Sequence, residues 1–112
     1  MSITLKEMAC PCCGVSRMDA CFMRKLRKAR EIAATSFIIT SGYRCEKHNK
    51  EVGSASNNHT SGHAADIDCR YTPKRMKMLS GLILAGFRRI GIRKDFIHVD
   101  DVEDKVESCW LY

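Results

Sequence analysis

Three short polar segments concentrate the residue types that bind metal ions and transfer protons. They are Ser-Gly-Tyr-Arg-Cys-Glu-Lys-His-Asn at 41–49, His-Thr-Ser-Gly-His-Ala-Ala-Asp-Ile-Asp at 59–68 and Asp-Phe-Ile-His-Val-Asp at 95–100. Within them, His59, Asp66 and His98 offer two imidazoles and one carboxylate. Zinc accepts such donors in a tetrahedron, and a catalytic zinc site takes three protein ligands and keeps a fourth position for water. The three residues are therefore a candidate catalytic zinc site.

A second arrangement of the histidines competes with this one. His59 and His63 are four residues apart and would share one face of a helix. Gly62 and the Gly-Ser-Ala-Ser-Asn-Asn run at 53–58 argue against a helix there. We therefore expect His59 in a loop and Asp66 in the strand that follows it.

The seven cysteines are an odd number, so they cannot all pair within one chain. Because no secretory signal is recognisable, we expect reduced thiols in a cytoplasmic protein. Cys10, Cys12, Cys13 and Cys21 could hold a structural zinc, but they lack the two separated pairs that are common in such sites. Small buried hydrophobic residues are the role we favour for them. Cys45 and Cys69 flank the candidate site and could pair under oxidation.

Length and composition favour one globular domain over residues 1–112. The chain is 45% hydrophobic and 29% charged, and no apolar run approaches the ~20 residues that span a bilayer, so no membrane insertion is expected. The net charge of +6 suits an anionic partner. No aromatic residue interleaves the basic run at 24–30 as base stacking requires, so we expect no nucleic-acid partner.

Hydrophobic spacing and turn residues predict the elements that must position these groups. An amphipathic helix is predicted over 18–34, capped by Ser16 or Asp19, and a second helix begins with Thr72 as its cap and Pro73 in its first turn and ends near 85–87. The other predicted elements are a buried strand at 36–40, a helical turn at 46–52, a strand at 64–69, a hairpin from 90–93 and 96–100, and an edge strand at 109–112. Since helices and strands do not alternate regularly, we predict an α+β fold with a small, mostly antiparallel sheet and helices packed on it.

Three motifs stand in a fixed order along the chain. Ser-Gly-Tyr-Arg occupies 41–44 with His-Asn at 48–49, Asn57 to Asp66 reads as Ser-x-His-x-x-Gly-x-Ala-x-Asp with asparagine for the first serine, and Phe-Ile-His-Val-Asp occupies 96–100. By these motifs the chain resembles the M15 family of zinc D-Ala-D-Ala carboxypeptidases and related peptidoglycan endopeptidases, which include phage endolysins. The likeness covers about 8–112, includes Trp110, and implies the hedgehog/DD-peptidase fold.

The resemblance implies a role for individual residues. It assigns zinc to His59, Asp66 and His98, and it makes Arg44 the residue that binds a carboxylate or carbonyl oxygen of the substrate, a task that suits a planar guanidinium. Ser41 and Asn57 are expected to bind substrate with it. The implied activity is zinc-dependent hydrolysis of peptidoglycan stem peptides, as carboxypeptidase or as endopeptidase. We expect a monomer that stays in the cytoplasm until it is released to the cell wall.

The general base is open among three residues. Asp95, three residues before His98, matches the acid of related enzymes and is the first candidate. Strand parity opposes it unless Asp95 lies just before the regular strand, because His98 shares its face with Phe96 and Asp100. Asp100 is the alternative and His63 is the third candidate.

Two other functions compete with hydrolysis. A non-catalytic cell-wall-binding module would keep the fold and the zinc site without turnover. A zinc-ribbon-like nucleic-acid protein would use the N-terminal cysteines and the basic helix, but it leaves the three motifs unexplained.

Overall fold

The computed structural model describes residues 3–54 and 56–112. Along the chain the elements are α1 (Ala20–Ala33), β1 (Ile39–Ser41), α2 (Glu46–Glu51), β2 (Ala64–Asp68), α3 (Thr72–Leu84), β3 (Arg89–Ile92), β4 (Phe96–Asp100) and β5 (Ser108–Leu111). The predicted α+β class is confirmed. None of the helices in these described residues combines the length and apolar character that crossing a membrane requires.

The five strands form one mixed sheet in the order β1-β2-β4-β3-β5. All neighbours are antiparallel except β3 and β5, which run parallel. In the centre of the sheet, Asp66 on β2 lies directly opposite His98 on β4. This register places two residues that are far apart in sequence side by side on one face.

The hydrophobic core lies between the other face of the sheet and the two long helices. Ile97 and Val99 on β4 are fully buried, and they alternate with Phe96, His98 and Asp100, which point to the opposite side. The helices contribute large buried side chains to the same core: Phe22, Met23, Leu26, Met78 and Leu82. One face of β2 and β4 therefore packs in the hydrophobic core, and the other face carries polar groups.

The beginnings of the two long helices differ from each other. Asp19 caps α1, and its carboxylate accepts a hydrogen bond of 2.9 Å from the Phe22 N–H, so one of the two predicted caps is confirmed. The prediction that Thr72 caps α3 is wrong. Thr72 is not the cap because the helical backbone already begins there, and Pro73 stands in a first turn where no N–H is needed. Tyr71 is the N-cap and makes no side-chain cap bond.

The first strand is shorter and more exposed than predicted. β1 covers only three residues, and Ile38, within the strand predicted at 36–40, is 56% exposed. The physical reason is its position at the edge of the sheet, where it pairs with β2 alone and where the register shifts between Ile39 and Ser41. The hairpin of β3 and β4 and the edge strand β5 are confirmed within one residue of the predicted bounds.

Candidate metal centre and active site

His59, Asp66 and His98 meet on the polar face of the sheet. One ligand atom from each lies within 4.8 Å of the others. The Asp66 Oδ1 atom is 2.9 Å from His98 Nδ1 and 3.5 Å from His59 Nε2. The three side chains are 6%, 13% and 5% exposed, in sequence order, so they are nearly desolvated. We call these three residues the triad.

The outer nitrogen of each imidazole is already engaged. His59 Nδ1 lies 2.8 Å from the Gly42 carbonyl oxygen, which can only accept, so this nitrogen carries the proton and donates. His98 Nε2 lies 2.8 Å from Asp100 Oδ2 and donates to that carboxylate in the same way. The inner nitrogens, His59 Nε2 and His98 Nδ1, therefore face the carboxylate of Asp66. Two imidazole nitrogens and a carboxylate oxygen that converge in this way fit a divalent metal ion, and such outer partners are usual for metal-binding histidines.

The charged groups of the triad shift one another's pKa values. Burial raises the pKa of Asp66, but hydrogen bonds and charge from His59 and His98 outweigh burial and hold that pKa well below its ordinary value. Burial lowers the pKa of His98, whereas its bonds to Asp100 and Asp66 raise it by more, so the net direction is upward. Both shifts follow from the pairing of the imidazoles with the carboxylates of Asp66 and Asp100.

Asp100 is fully buried behind His98. Its Oδ1 accepts a charge-assisted hydrogen bond of 2.6 Å from Arg89 Nε, and its Oδ2 accepts from His98 and from Asn58 Nδ2 at 3.2 Å. Burial raises the pKa of Asp100, but His98 and Arg89 lower it by more and keep the group ionised. With both oxygens engaged, Asp100 is placed to orient the His98 ring.

Asp95 lies in the turn just before β4, which satisfies the condition that strand parity set for it. Its Oδ1 is paired with Arg93 Nε at 3.4 Å, and both side chains are more than one-third exposed. Asp95 is absent from the residues that line the cavity in front of the triad, but Arg93 is among them.

His63, the third candidate base, lies away from the triad. Its Nδ1 is 2.7 Å from Asp101 Oδ1, and its Nε2 is 3.9 Å from Asp19 Oδ1. These contacts connect the loop before β2 to the start of α1. His63 thus contacts Asp101 and Asp19 and is absent from the lining of the cavity in front of the triad.

Arg44 extends beside the triad and is held from three sides. Its Nε donates to Ser41 Oγ at 3.1 Å and one terminal nitrogen donates to Asn49 Oδ1 at 3.4 Å. The other terminal nitrogen is 3.6 Å from Asp66 Oδ2, which is a loose ion pair. Asn49 is 9% exposed and also donates 2.8 Å to the Ser56 carbonyl. Guanidinium N–H groups of Arg44 therefore remain available to a ligand in the cavity.

A cavity of about 610 Å³ opens in front of the triad. Its lining contains four basic side chains against one acidic one, and three aromatic rings. The basic residues are Arg44, Arg89, Arg93 and Lys105, and the aromatic residues are Phe96, Trp110 and Tyr112. Neither Ser41 nor Asn57 lines this cavity: Ser41 holds Arg44 from behind, and Asn57 is exposed in the loop before His59.

Trp110 on β5 forms the wall next to His98. The ring centroids of His98 and Trp110 are 5.5 Å apart. Trp110 also contacts Arg89, whose guanidinium lies 5.1 Å from the indole centroid. Gly91 on β3 makes this position possible, because a Cβ there would come within 2.5 Å of the indole. The absence of a side chain at residue 91 thus gives the ring its place.

Sequence reasoning missed the polar network around the triad. Arg89, Asn58 and Lys105 received no role, although Arg89 binds Asp100 and Lys105 Nζ donates to Asn58 Oδ1 at 2.6 Å. Asn49 was part of a recognised motif, and its place in a short polar helix next to Arg44 was the available signal. The others lie in strands and loops whose pairing no local pattern reveals.

The comparison with known families gives one result. The family model described as Peptidase M15 matches residues 2–100 of the 112-residue chain. The matched span contains all three members of the triad as well as Arg44 and Asp95. No curated protein matches the chain.

Proposed function

The chain belongs to the peptidase M15 family, and from this premise we propose that it is a zinc-dependent peptidase that hydrolyses the stem peptides of peptidoglycan. The observation that carries the proposal is the convergence of two imidazole nitrogens on the Asp66 carboxylate beneath a basic cavity. Two neutral nitrogens and one carboxylate are the donor set of many hydrolytic zinc sites.

His59, Asp66 and His98 are the proposed zinc ligands. When bound there, zinc supplies Lewis acidity, which polarises a peptide carbonyl and lowers the pKa of water to about 7. The Gly42 carbonyl and Asp100 keep the protons of the two imidazoles on the outer side, so that both inner nitrogens stay free. Asp66 contributes the one negative charge.

Arg44 is the proposed substrate-binding residue. It presents a planar pair of donors to a carboxylate or to a carbonyl oxygen that gains charge during attack. Ser41 acts through Arg44 by holding its Nε, and Asn57 is proposed to contact substrate from the rim of the loop. The excess of basic over acidic side chains in the cavity favours a peptide that carries free carboxylates, as peptidoglycan stems do.

Asp95 is the proposed general base. It takes a proton from the attacking water and delivers it to the departing amine. To do so its side chain must turn away from Arg93, whose Nε lies 3.4 Å from the Asp95 Oδ1 atom. Asp100 is less suited to this task because both its oxygens are engaged and buried.

Digestion of purified peptidoglycan fragments, read by mass spectrometry, tests the proposal. The wild-type protein should release new peptide ends, lose this activity on treatment with a chelator, and regain it with zinc. Release of a single terminal D-alanine identifies a carboxypeptidase, and cleavage within the stem identifies an endopeptidase. Binding of fragments without any cleavage by the zinc-loaded protein would contradict the proposal and indicate the binding module instead.

Asp95→Asn gives the sharper arm of that experiment. This variant should keep its zinc and lose at least about a hundredfold in kcat, because only the proton acceptor is removed. Asp104→Asn is the matched control, since Asp104 is an exposed acid that is absent from the lining of this cavity. Full activity of Asp95→Asn would remove Asp95 from the mechanism.

A further inference from the structure

Cysteines from two distant segments converge beside Arg44. The Cys45 Sγ atom lies 3.7 Å from Cys10 Sγ and 3.8 Å from Cys12 Sγ. The sulfurs of Cys10, Cys12 and Cys45 all lie within 4.8 Å of one another. Cys45 immediately follows Arg44, whereas Cys10 and Cys12 belong to the segment before α1. We call these three residues the thiol cluster.

Several sequence expectations about the cysteines are wrong. Cys21 lies exposed on α1, outside the cluster, and Cys45 takes the place that was expected for it. Burial as small hydrophobic residues fails for Cys12, Cys13 and Cys21, which are exposed. Cys69 is buried in the core, whereas Cys45 lies with Cys10 and Cys12, and both are free thiols. Cys45 contacts Cys10 and Cys12 across 35 and 33 residues of sequence, and spacing cannot reveal such a contact.

The sulfur–sulfur distances match a tetrahedral metal site. Zinc–thiolate bonds of about 2.3 Å in a tetrahedron give edges of about 3.8 Å between sulfurs. The observed 3.7 and 3.8 Å agree with that edge. A disulfide needs sulfurs about 2.05 Å apart, and all seven cysteines are free.

The backbone around Cys10 is arranged to hold thiolates. Cys10 N–H donates 2.8 Å to the Val15 carbonyl, and Gly14 N–H donates 2.8 Å to the Cys10 carbonyl, which folds residues 10–15 into a closed loop. The His48 N–H donates 3.4 Å to Cys45 Sγ. A hydrogen bond to a cysteine sulfur favours the deprotonated form, which is the form that binds metal ions.

We propose a second, structural zinc site that is held by the thiol cluster, with exposed Cys13, the neighbour of Cys12 in the chain, as the fourth thiolate ligand. Thiolates are soft ligands that favour zinc among the common divalent ions, and four of them leave no open position for water or substrate. This site is therefore separate from the triad in both ligands and task. It holds whether or not the triad hydrolyses peptides.

The position of the thiol cluster gives this second zinc a mechanical role. It fastens the N-terminal segment to the strand end that carries Gly42 and Arg44. The same two segments also touch through the backbone, since Tyr43 N–H donates 2.7 Å to the Met8 carbonyl and a Cβ at residue 42 would lie 2.6 Å from that oxygen. The Gly42 carbonyl in turn holds His59. The second zinc thus positions groups of the active site without contacting substrate.

Metal stoichiometry of the full chain, purified with a non-thiol reductant, tests the proposal. The wild type should contain two zinc ions per chain, and His59→Ala and Cys45→Ser should contain one each. Cys21→Ser and Cys109→Ser are matched controls that should keep two, because both exposed cysteines lie outside the cluster. If the wild type contains one zinc and Cys45→Ser retains it, the thiol site is overturned. If the wild type contains one zinc that Cys45→Ser loses and His59→Ala keeps, the thiol site stands and the proposed catalytic zinc site is removed.

Cobalt substitution gives a readout that does not depend on a variant that folds. The cobalt-loaded wild type should show an intense sulfur-to-cobalt charge-transfer band in the near ultraviolet, and His59→Ala should keep it. Cys12→Ser, a change at an exposed residue, should weaken it and lower the thermal midpoint by more than about 5 °C. A cobalt spectrum without a sulfur band, or a native disulfide found by mass, would contradict the site.

Discussion

At the scale of single residues, Asp100 is placed to orient the ring of His98 in the triad. Asp100→Asn should lower zinc affinity by about 10–100-fold, since it removes the charge that fixes the imidazole proton on Nε2 and leaves Arg89 without its buried partner. Competition with a chromophoric chelator measures the affinity. Asp104→Asn should leave it unchanged, and an unchanged affinity in Asp100→Asn would show that His98 does not depend on this contact.

Arg44 offers a second test at the same scale. Arg44→Lys keeps the charge but loses the planar fork, so we expect KM to rise about tenfold or more while zinc content stays at the wild-type value. Steady-state kinetics on peptidoglycan fragments and metal analysis of the same preparation measure both. Arg70→Lys is the control, because Arg70 is exposed and pairs with Asp68 outside the cavity. Equal KM values for the two variants would argue against carboxylate binding by Arg44.

The triad itself could be predicted from the sequence, but its surroundings could not. Histidine is infrequent in this chain, and His59, Asp66 and His98 stand in motifs of fixed order, so the sequence alone indicates these three residues as a candidate metal site. Arg89 and Asn58 are ordinary surface types in a sequence, and they gain meaning only when β3 and the loop before β2 approach Asp100. A buried polar network depends on tertiary contacts that no local pattern encodes.

At the scale of elements, a strand whose limits follow from local alternation was predicted more accurately than a strand whose limits depend on its partner in the sheet. The alternation of Phe96 to Asp100 predicts β4 with its observed bounds, because period-two patterning follows from one buried face. The limits of β1 follow instead from a single neighbour and a register shift, neither of which leaves a trace in Ser36 to Thr40. Thr72 carried a correct capping preference at a position one residue too late.

The contact between β3 and β5 yields a prediction about packing. Gly91→Ala should destabilise the fold by ~1–3 kcal/mol, because the new methyl group overlaps the Trp110 indole and pushes it from His98. Denaturant unfolding measures the change in the free energy of unfolding. In the double variant with Trp110→Ala the cost of Gly91→Ala should largely vanish, and strictly additive costs would show that the overlap is relieved elsewhere.

At the scale of the whole molecule, folding and chemistry use opposite faces of the same strands. Leu26→Ala in the core should therefore lower the free energy of unfolding by ~2–5 kcal/mol without changing zinc affinity of the triad in the folded protein. Urea titration and chelator competition measure the two quantities. A matched loss of zinc affinity would mean that the core transmits its strain through Ile97 and Val99 to the neighbouring His98.

The parallel strand β5 has a consequence for substrate preference. Lys105, Trp110 and Tyr112 all border the reaction chamber, and all come from one contiguous stretch at 101–112 that contributes no ligand to either proposed zinc site. Changes in the side chains of this stretch that face the cavity should alter which peptide is preferred, while the proposed ligands of both zinc sites stay the same. Divergence in substrate preference among such proteins is therefore expected to concentrate in these dozen residues.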